Sequence, residues 1–521
     1  MPVGTRNKTL IPTLALDFSK PSTLINPRNG FGQNLRVFEN LLTQIPGNAQ
    51  FGDENSTNPT LHLARFQDSD GVLFAVRLDK AKTEFYKQSN ATWTDITKSG
   101  TDWTTVEATD YYSAVMYLSK DVLLLTNGLD VLQQYTGSTN LCTDVSGSPP
   151  KAKFVGVLGD YVIMANITDD GTGNKKPRRV QWPDTGDHTK WSTGNAGSID
   201  LIDGKSPITF GGNLNEFYII STEEELYVGR LVDTDDVLFF GSPQVTGVGI
   251  LNNNCGVTHN GVLYFLGVDG RIYGFNGFRL DPLSDEIMEQ IRPNINEDRL
   301  VTNHARKMIR YREIWFYITL SGNSWPTVVY KFNYETGAIR FDTCNNVTAT
   351  ESFRDTSGQV TIDGLGSGAI DDLVGRIDSF GGGTGFEFEL IGKSDGKVFK
   401  YDENTLNDNG TAIDEQFVSM DFNGDSDEEY KRWLMLEFWM KGSGDMTLSY
   451  SIDFGETWTD IDSDGATKTV FTLTDTMKKY CAYFDTVSEY IRFRFRNNNT
   501  GEFFTLKQFT TYHNMREFSC L

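Results

Sequence analysis

The residues with the most chemical potential lie in a few short strings. Asp421-x-Asn423-x-Asp425-x-Asp427 spaces oxygen ligands at every second residue, as a calcium loop does. The pattern then breaks: Ser426 stands where the loop needs glycine, and Arg432 where it needs a bidentate glutamate. The string therefore reads as a solvated acidic linker, with a non-standard cation site as the alternative. Gly204-Lys205-Ser206 and Gly392-Lys393-Ser394 end like phosphate-binding loops. Their first glycine is replaced by Ile199 and Glu387 respectively, so neither should hold a nucleotide. His62, His188, His259, His304 and His513 lack metal-ligand spacing and accompany no Gly-x-Ser-x-Gly elbow, so each is expected at a turn or on the surface. Cys142, Cys255, Cys344, Cys481 and Cys520 form no Cys-x-x-Cys pair, which predicts buried or free thiols. No catalytic residue, cofactor or metal is assigned, and the chain reads as a non-enzyme.

Two basic strings are candidates for binding. Lys175-Lys176-Pro177-Arg178-Arg179 is the single dense basic run and is expected in an exposed loop. Lys175, Lys176, Arg178 and Arg179 are thus candidate contacts for DNA or a partner. In Ile491-Arg492-Phe493-Arg494-Phe495-Arg496 alternate residues of a strand face opposite sides, one aromatic and one carrying three arginines. Arg492, Arg494 and Arg496 form either a solvated face or a docking surface for an acidic neighbouring subunit. On the second reading, reversing all three to Glu should leave the fold intact and block assembly.

Ser451-Ile452-Asp453-Phe454-Gly455-Glu456-Thr457-Trp458 matches S-x-D-x-G-x-T-W, the Asp box, which resembles the turns of sialidases and related propellers. Asp453 can accept from turn amides, Gly455 permits a positive φ and Trp458 packs beneath, so the motif is a structural staple. Thr92-Trp93-Thr94-Asp95-Ile96 echoes residues 457–461. The Arg-Ile-Pro string usual in sialidases is absent, and nothing places two carboxylates across a glycosidic bond.

These strings need elements to hold them, and the composition points to strands. The chain has 521 residues, 50 of them glycine, with 38% hydrophobic and 12% aromatic content, which favours short strands and tight turns over packed helices. Period-two alternation recurs at Val122–Leu125, Phe217–Ile220, Leu263–Leu266, Trp315–Leu320 and Phe386–Leu390. The best helical candidate is Ser284–Arg292, with Ser284 as cap and Ile287 and Ile291 on one face. No run approaches the roughly 18 apolar residues of a membrane helix, and the start lacks a signal-peptide core, so a cytosol-like place of synthesis is expected. Forty-seven Lys and Arg against 70 Asp and Glu give a formal charge of −23. That charge argues against a surface built to grip phosphates but allows one past which DNA slides.

A degenerate unit of strand, turn and strand recurs. It is clearest in Asn260–Phe265 with Asp269–Phe275 and in Ser394–Tyr401, and weaker at Asp70–Tyr86, Asn127–Tyr135, Gly159–Ala165, Asn215–Val228 and Tyr311–Asn333. Seven anchors at this spacing predict an all-β fold, a β-propeller of about seven blades, with type I′ turns at Asn-Gly and Asp-Gly. After Tyr401 comes an acidic stretch and then Trp433–Met440, Met446–Ile452, Cys481–Phe484, Ile491–Phe495 and Phe503–Phe509, spaced like a C-terminal β-sandwich. The expected domains are an N-terminal extended arm (1–30) that reaches a neighbour or closes the propeller, the propeller (31–410) and the sandwich (411–521).

Arg179-Val180-Gln181-Trp182-Pro183-Asp184, Trp191-Ser192, Gly197-Ser198-Ile199-Asp200-Leu201 and Ser206-Pro207-Ile208-Thr209 resemble propeller-type tail hub or nozzle proteins of short-tailed bacteriophages, also called packaged-DNA stabilisation proteins. The likeness continues through Glu225-Leu226-Tyr227, Val257–Phe265, Asp269–Gly277 and Leu283–Ile291, and includes Asn34–Phe38 with Pro46-Gly47 near the start. The resemblance implies a structural virion protein of the phage tail, assembled in the host cytoplasm. It implies a homo-hexameric ring below the portal and adaptor rings, forming the distal channel for genome ejection, retaining and then passing double-stranded DNA, and docking fibre or needle proteins. The alternative is a secreted carbohydrate-binding or sialidase-like propeller; a cytosolic scaffold propeller is a third class without specific support.

Overall fold

The structure is a computed structural model. It describes residues 6–10, 13–14, 29–38, 41–53, 57–69, 73–87, 92–100, 102–104, 112–137, 140–169, 172–201, 206–232, 238–283, 291–354, 387–402, 404–424, 429–462 and 469–515. The proposed helix over 284–292 lies outside them except for its last two residues, of which Ile291 is helical and fully buried. The chain divides into two compact units that are not collinear with the expected domains at 31–410 and 411–521. One comprises Gln50–Val328 and Cys344–Tyr401, the other Met1–Ala49, Val329–Thr343 and Asp402–Leu521.

The first unit is a β-propeller. Seven sheets follow one another, led by strands β1 (His62–Gln67), β2 (Ser113–Tyr117), β3 (Lys151–Leu158), β4 (Ile208–Leu214), β5 (Gly256–His259), β6 (His304–Met308) and β7 (Val347–Phe353). In each sheet the leading strand pairs antiparallel with the next strand of the chain, as the recurrent turns require. The leading strands contact one another in sequence from β1 to β7, and β7 returns to β1. Apolar packing between successive sheets explains the closure. Phe66, Val76 and Phe85 of the first sheet pack with Leu123, Leu125 and Tyr135 of the second. Leu390 and Val398 of the last sheet pack with Leu63, Ala75 and Trp93 of the first. Alternation along each strand gives every sheet two apolar faces, and a ring of sheets buries both.

The turns separate into two kinds. Asn260 and Gly261 both have positive φ, 48° and 76°, as type I′ demands. Asp269-Gly270 and Asp395-Gly396 depart from that expectation, since only the glycines are positive, both at 83°. The aspartates instead accept from the backbone two residues on, Asp269 from Arg271 N at 3.1 Å and Asp395 from Lys397 N at 3.1 Å.

The second unit is a β-sandwich. One sheet runs Leu35–Phe38, Leu41–Gln44, Phe503–Met515, Lys431–Ser443 and Lys478–Ser488; the other runs Thr13–Leu14, Asn29–Gln33, Glu415–Val418, Arg492–Asn497, Asp445–Ser451 and Thr459–Asp460. Leu35, Trp433, Phe438 and Phe509 from the first meet Phe417, Leu448, Phe493 and Phe495 from the second in a common core. Segments from both sides of the propeller sequence thus complete the same sheets. Within the stretch expected as an arm, Arg6–Leu10 pairs with Phe503–Met515 of this unit rather than reaching a neighbour or closing the propeller.

Candidate functional site

The arginine strand folds as the alternation predicts: Phe493 and Phe495 are fully buried while the arginines lie on the other face. That face is not a free cationic stripe. Arg492 makes a two-pronged pair with Asp421, Nε to Oδ1 at 2.9 Å and Nη2 to Oδ2 at 2.7 Å. Arg496 does the same with Asp414 at 2.8 and 2.9 Å. Arg494 lies over the Trp458 ring at 4.4 Å and donates to Ser449 Oγ at 3.3 Å. Burial and neighbouring Arg496 lower its affinity for the proton, while the Asp414 hydrogen bond raises that of Arg496. Charge reversal here would set Glu beside Asp421 and Asp414, so the fold would not be left untouched. Asp421, first residue of the calcium-like string, is buried and committed to Arg492; Asp425 and Asp427 lie outside the described residues.

The basic run is a strand, not a loop. Lys175–Trp182 pairs with Tyr161–Thr168 on one side and Gly197–Asp200 on the other. Its register slips where Ala165 faces Val180 and Ile167 faces Lys176, with Asn166 at φ 55°. Pro177 falls inside this bulge, where a missing N–H breaks no ladder bond. Lys175 and Arg178 are exposed, Lys176 partly so, and Arg179 is clamped by Asp200 at 2.7 and 2.8 Å. Of the strings that carry the phage-protein resemblance, Trp182 donates Nε1–H to Asn195 O at 3.0 Å and Asp184 accepts from Asn195 N at 2.9 Å. These residues brace the turn that returns the chain to Gly197.

The Asp box is the staple its residues predict. Asp453 Oδ1 accepts from Thr457 N at 2.9 Å and from Ser451 Oγ at 2.7 Å, and Ser451 Oγ accepts from Gly455 N at 2.8 Å. The Thr457 hydroxyl, with the Thr457 amide behind it, holds the Asp453 carboxyl well below the usual carboxylate range. Phe454 and Gly455 both adopt positive φ, 60° and 94°. In the echo, Trp93 is buried beneath Arg77, whose guanidinium lies 4.7 Å from its ring.

The histidines depart from expectation: His188, His304 and His513 are buried. His188 Nε2 meets Gln134 Oε1 at 2.6 Å, and His513 packs on Trp433 with centroids 4.8 Å apart. His62 and His304 stand on leading strands β1 and β6 and line a cavity of about 170 Å³, with Asn254, Arg306, Thr350 and Glu351. His304 sits opposite Tyr317 in the ladder and stacks on it, centroids 4.6 Å apart and planes 12° apart. Its Nδ1 lies 3.2 Å from Thr302 O, so Nδ1 carries the proton and Nε2 a lone pair that has no partner among the described residues. Burial, then the Arg306 charge, pushes both imidazoles down to about 4, so both are neutral at pH 7.

Arg306 holds this region together. Its two Nη groups donate to Glu351, and its Nε faces Glu389 Oε2 at 3.6 Å. Glu389 also accepts from Ser352 Oγ at 2.8 Å, across the pairing of Val347–Phe353 with Phe388–Lys393. Burial raises the Glu389 pKa against the attraction of Arg306. Sequence reasoning missed this triad, because its members are far apart in the chain and no motif links them. The thiols follow expectation: Cys142 and Cys255 are buried, and burial pushes Cys142 up to about 12. Cys520 lies outside the described residues. Among the described residues no helix is long and apolar enough to cross a membrane.

No protein-family model and no curated protein matches the chain. Among solved structures, the computationally designed Ika8 protein is similar over 74% of this chain and 98% of its own, at 11% identity and TM-score 0.37. YCF48 from Cyanidioschyzon merolae is similar over 69% of this chain and 99% of its own, at 10% identity and TM-score 0.38. The exo-β-1,3-galactanase of Phanerochaete chrysosporium covers 90% of this chain and 100% of its own, at 9% identity and TM-score 0.28.

Proposed function

We propose that the chain is a structural protein of a short-tailed bacteriophage tail, a hub or nozzle subunit whose ring lines the path of the departing genome. The observation that carries this reading is where the resembling strings fall. Arg179–Trp182 and Gly197–Asp200 form the outer ladder of one propeller sheet, so the likeness lies in the framework. The charge supports it as well. Arg179, Arg492 and Arg496 are spent on this chain's own carboxylates, and the formal charge is −23. A channel of such subunits repels phosphates and lets DNA slide, where many free cations would hold it. Lys175, Lys176 and Arg178 remain the candidate contacts for DNA or an acidic partner, and Arg494 the candidate docking residue of the sandwich. The expected partners are five further copies, a portal-adaptor ring, and fibre or needle proteins.

The mass of the purified chain, alone and with its candidate portal and adaptor, tests this by native mass spectrometry. A hexamer, or a hexamer formed only on the adaptor, supports the tail role. A strict monomer that ignores both partners rejects it and favours the carbohydrate-binding propeller instead.

A further inference from the structure

The sheets of the two units end differently. Thr92–Asp95, Thr143–Asp144, Gly197–Asp200, Leu238–Phe240 and Leu280–Pro282, the outer strands of five propeller sheets, have two to four residues each. Edges this short offer little to another chain. The second sandwich sheet ends in Thr13–Leu14 and Thr459–Asp460, of two residues each, and the first begins with the four-residue Leu35–Phe38. The other end of that first sheet is Lys478–Ser488, a strand of 11 residues. Among the described residues it pairs only with Lys431–Ser443, so alternate residues turn N–H and C=O groups outward with no strand to meet them.

Three observations define what fits this edge. The first is regularity: Lys478–Tyr483 pairs residue for residue with Met435–Met440, and the register slips only beyond Tyr483. The second is the state of its charges. Edge charges deter an incoming strand that would leave them unpaired. Here Lys479 pairs back to Glu437 at 3.2 Å and Asp485 to Arg432, both on the neighbouring strand. The third is self-complementarity. When the strand pairs antiparallel with its own copy and Cys481 lies on the two-fold axis, Tyr480 stands opposite Ala482 of the second copy on the core face. On the outer face Lys479 stands opposite Tyr483 of the second copy. Tyr480 is half-buried against the sandwich core and Ala482 fully buried, so large meets small where the core runs out to the edge. Tyr483 is 65% exposed and presents its ring to an ammonium group. An axis at Tyr480 would instead oppose the two Tyr480 rings and leave Tyr483 unmatched.

We infer that Lys478–Tyr483 is a self-association edge, where a second copy of this chain adds its own Lys478–Tyr483 antiparallel and joins two sandwich sheets into one. The contact is isologous and small, so it is weak, with a dissociation constant of roughly tens of micromolar. It rests on one sheet edge and is independent of the tail role.

Oxidation of the full chain by diamide at about 100 µM tests this, because residues directly opposite in an antiparallel ladder have Cα atoms about 4.5 to 5.5 Å apart, within disulfide reach. The two Cys481 thiols should join, diamide being reduced to its hydrazine, and give a species of twice the chain mass on a denaturing gel. Cys481→Ser should abolish that species. Sedimentation equilibrium supplies the second readout. Cys481→Lys, on the outer face, sets one like-charge pair on the axis and should weaken association roughly five-fold. Adding Tyr483→Lys makes three such pairs and should weaken it roughly a hundredfold, with the circular dichroism unchanged. A chain that stays single at this concentration and gives no cross-link overturns the inference and leaves the edge to a strand of a different protein. So does an association that both variants leave intact, or a cross-link that survives Cys481→Ser undiminished. A hexamer without the Cys481 cross-link overturns this inference and leaves the tail role standing. If the lysine variants fail to fold, cross-linking of the unaltered chain decides the matter by itself.

Discussion

Each unit contains a buried triad of charges, and the two have opposite sign. In the sandwich unit Asp342, with no exposed surface, serves two cations: Lys331 Nζ at 2.5 Å and Arg340 Nη1 at 2.8 Å. It also accepts from Asn34 N at 2.7 Å, while Arg340 donates to Leu35 O at 2.8 Å. In the propeller Arg306 serves both Glu351 and Glu389, and among the described residues Glu389 Oε2 has no hydrogen-bond donor. The first triad ties a strand of the amino-terminal segment to Ile339–Thr343, and its acceptor is saturated. The second borders the cavity of His62 and His304, and one of its acceptors is unfilled. Buried charges of this kind are poor sources of net stability and are sensitive to loss of one partner. A saturated triad therefore reads as an architectural joint, and one in which two carboxylates share a cation as a joint whose charge balance protonation can change.

The comparison breaks most sharply at the shared ion. Asp342→Ala removes the carboxylate that two buried cations share, and should cost about 3 to 5 kcal/mol in urea unfolding, enough to leave much of the chain unfolded. Arg306→Met should cost less, about 2 to 3 kcal/mol at neutral pH, because Glu389 can take up a proton once its cation is gone. Its burial already raises its pKa in the unaltered chain. A carboxyl whose folded pKa is raised binds more protons folded than unfolded, so its penalty shrinks as pH falls. The Arg306→Met deficit should thus narrow between pH 7 and 5. A deficit as large as that of Asp342→Ala and flat with pH would show that the two triads do not differ in this way.

The neighbouring histidines should act with the opposite sign. His62 and His304 are held near 4 in the folded chain against 6.5 when exposed, so the unfolded chain binds more protons between those values. Their contribution to stability is complete above pH 6.5 and is lost as pH falls towards 4, by about 1 kcal/mol each at pH 5.5. His304→Phe keeps an aromatic ring on Tyr317 and cannot titrate. It should lose about 1 kcal/mol less than the unaltered chain between pH 6.5 and 5.5. An identical pH slope in the two proteins would place the titration elsewhere, and Glu389 and deeply buried Glu415 would blunt it in both, since burial raises each of them.

The sequence makes local geometry visible and leaves charge partnership hidden. Asn260-Gly261, the Asp box and the alternation of Ile491–Arg496 are legible because each is fixed by residues within a few positions of one another. The Asp-Gly turns were legible as turns but not by type, since the aspartate side chain closes them without a second positive φ. Lys175–Arg179 reads as a loop because proline and dense charge usually mark one. The sheet tolerates it by placing Pro177 in a bulge and Asp200 opposite Arg179. Arg306, Glu351 and Glu389 meet only after β6 and β7 come together in the ring, and no short string records that meeting. The same holds for Asp421 and Asp414, which turned a cationic stripe into pairs.

Arg494 gives the smallest expected effect and the finest division between the two units. It alone of the three arginines has no two-pronged carboxylate, and it rests on Trp458 of the Asp box. A guanidinium on an indole is worth about 0.5 to 1 kcal/mol where it is partly exposed, so Arg494→Met should lower stability by about that amount while leaving the strand register intact. Arg492→Met, by contrast, removes a two-pronged pair from buried Asp421 and should cost more. If Arg494 serves a partner subunit, Arg494→Met should impair ring assembly out of proportion to this small loss, and native mass spectrometry at matched stability reads the difference. Equal assembly would leave Arg494 as part of the staple alone.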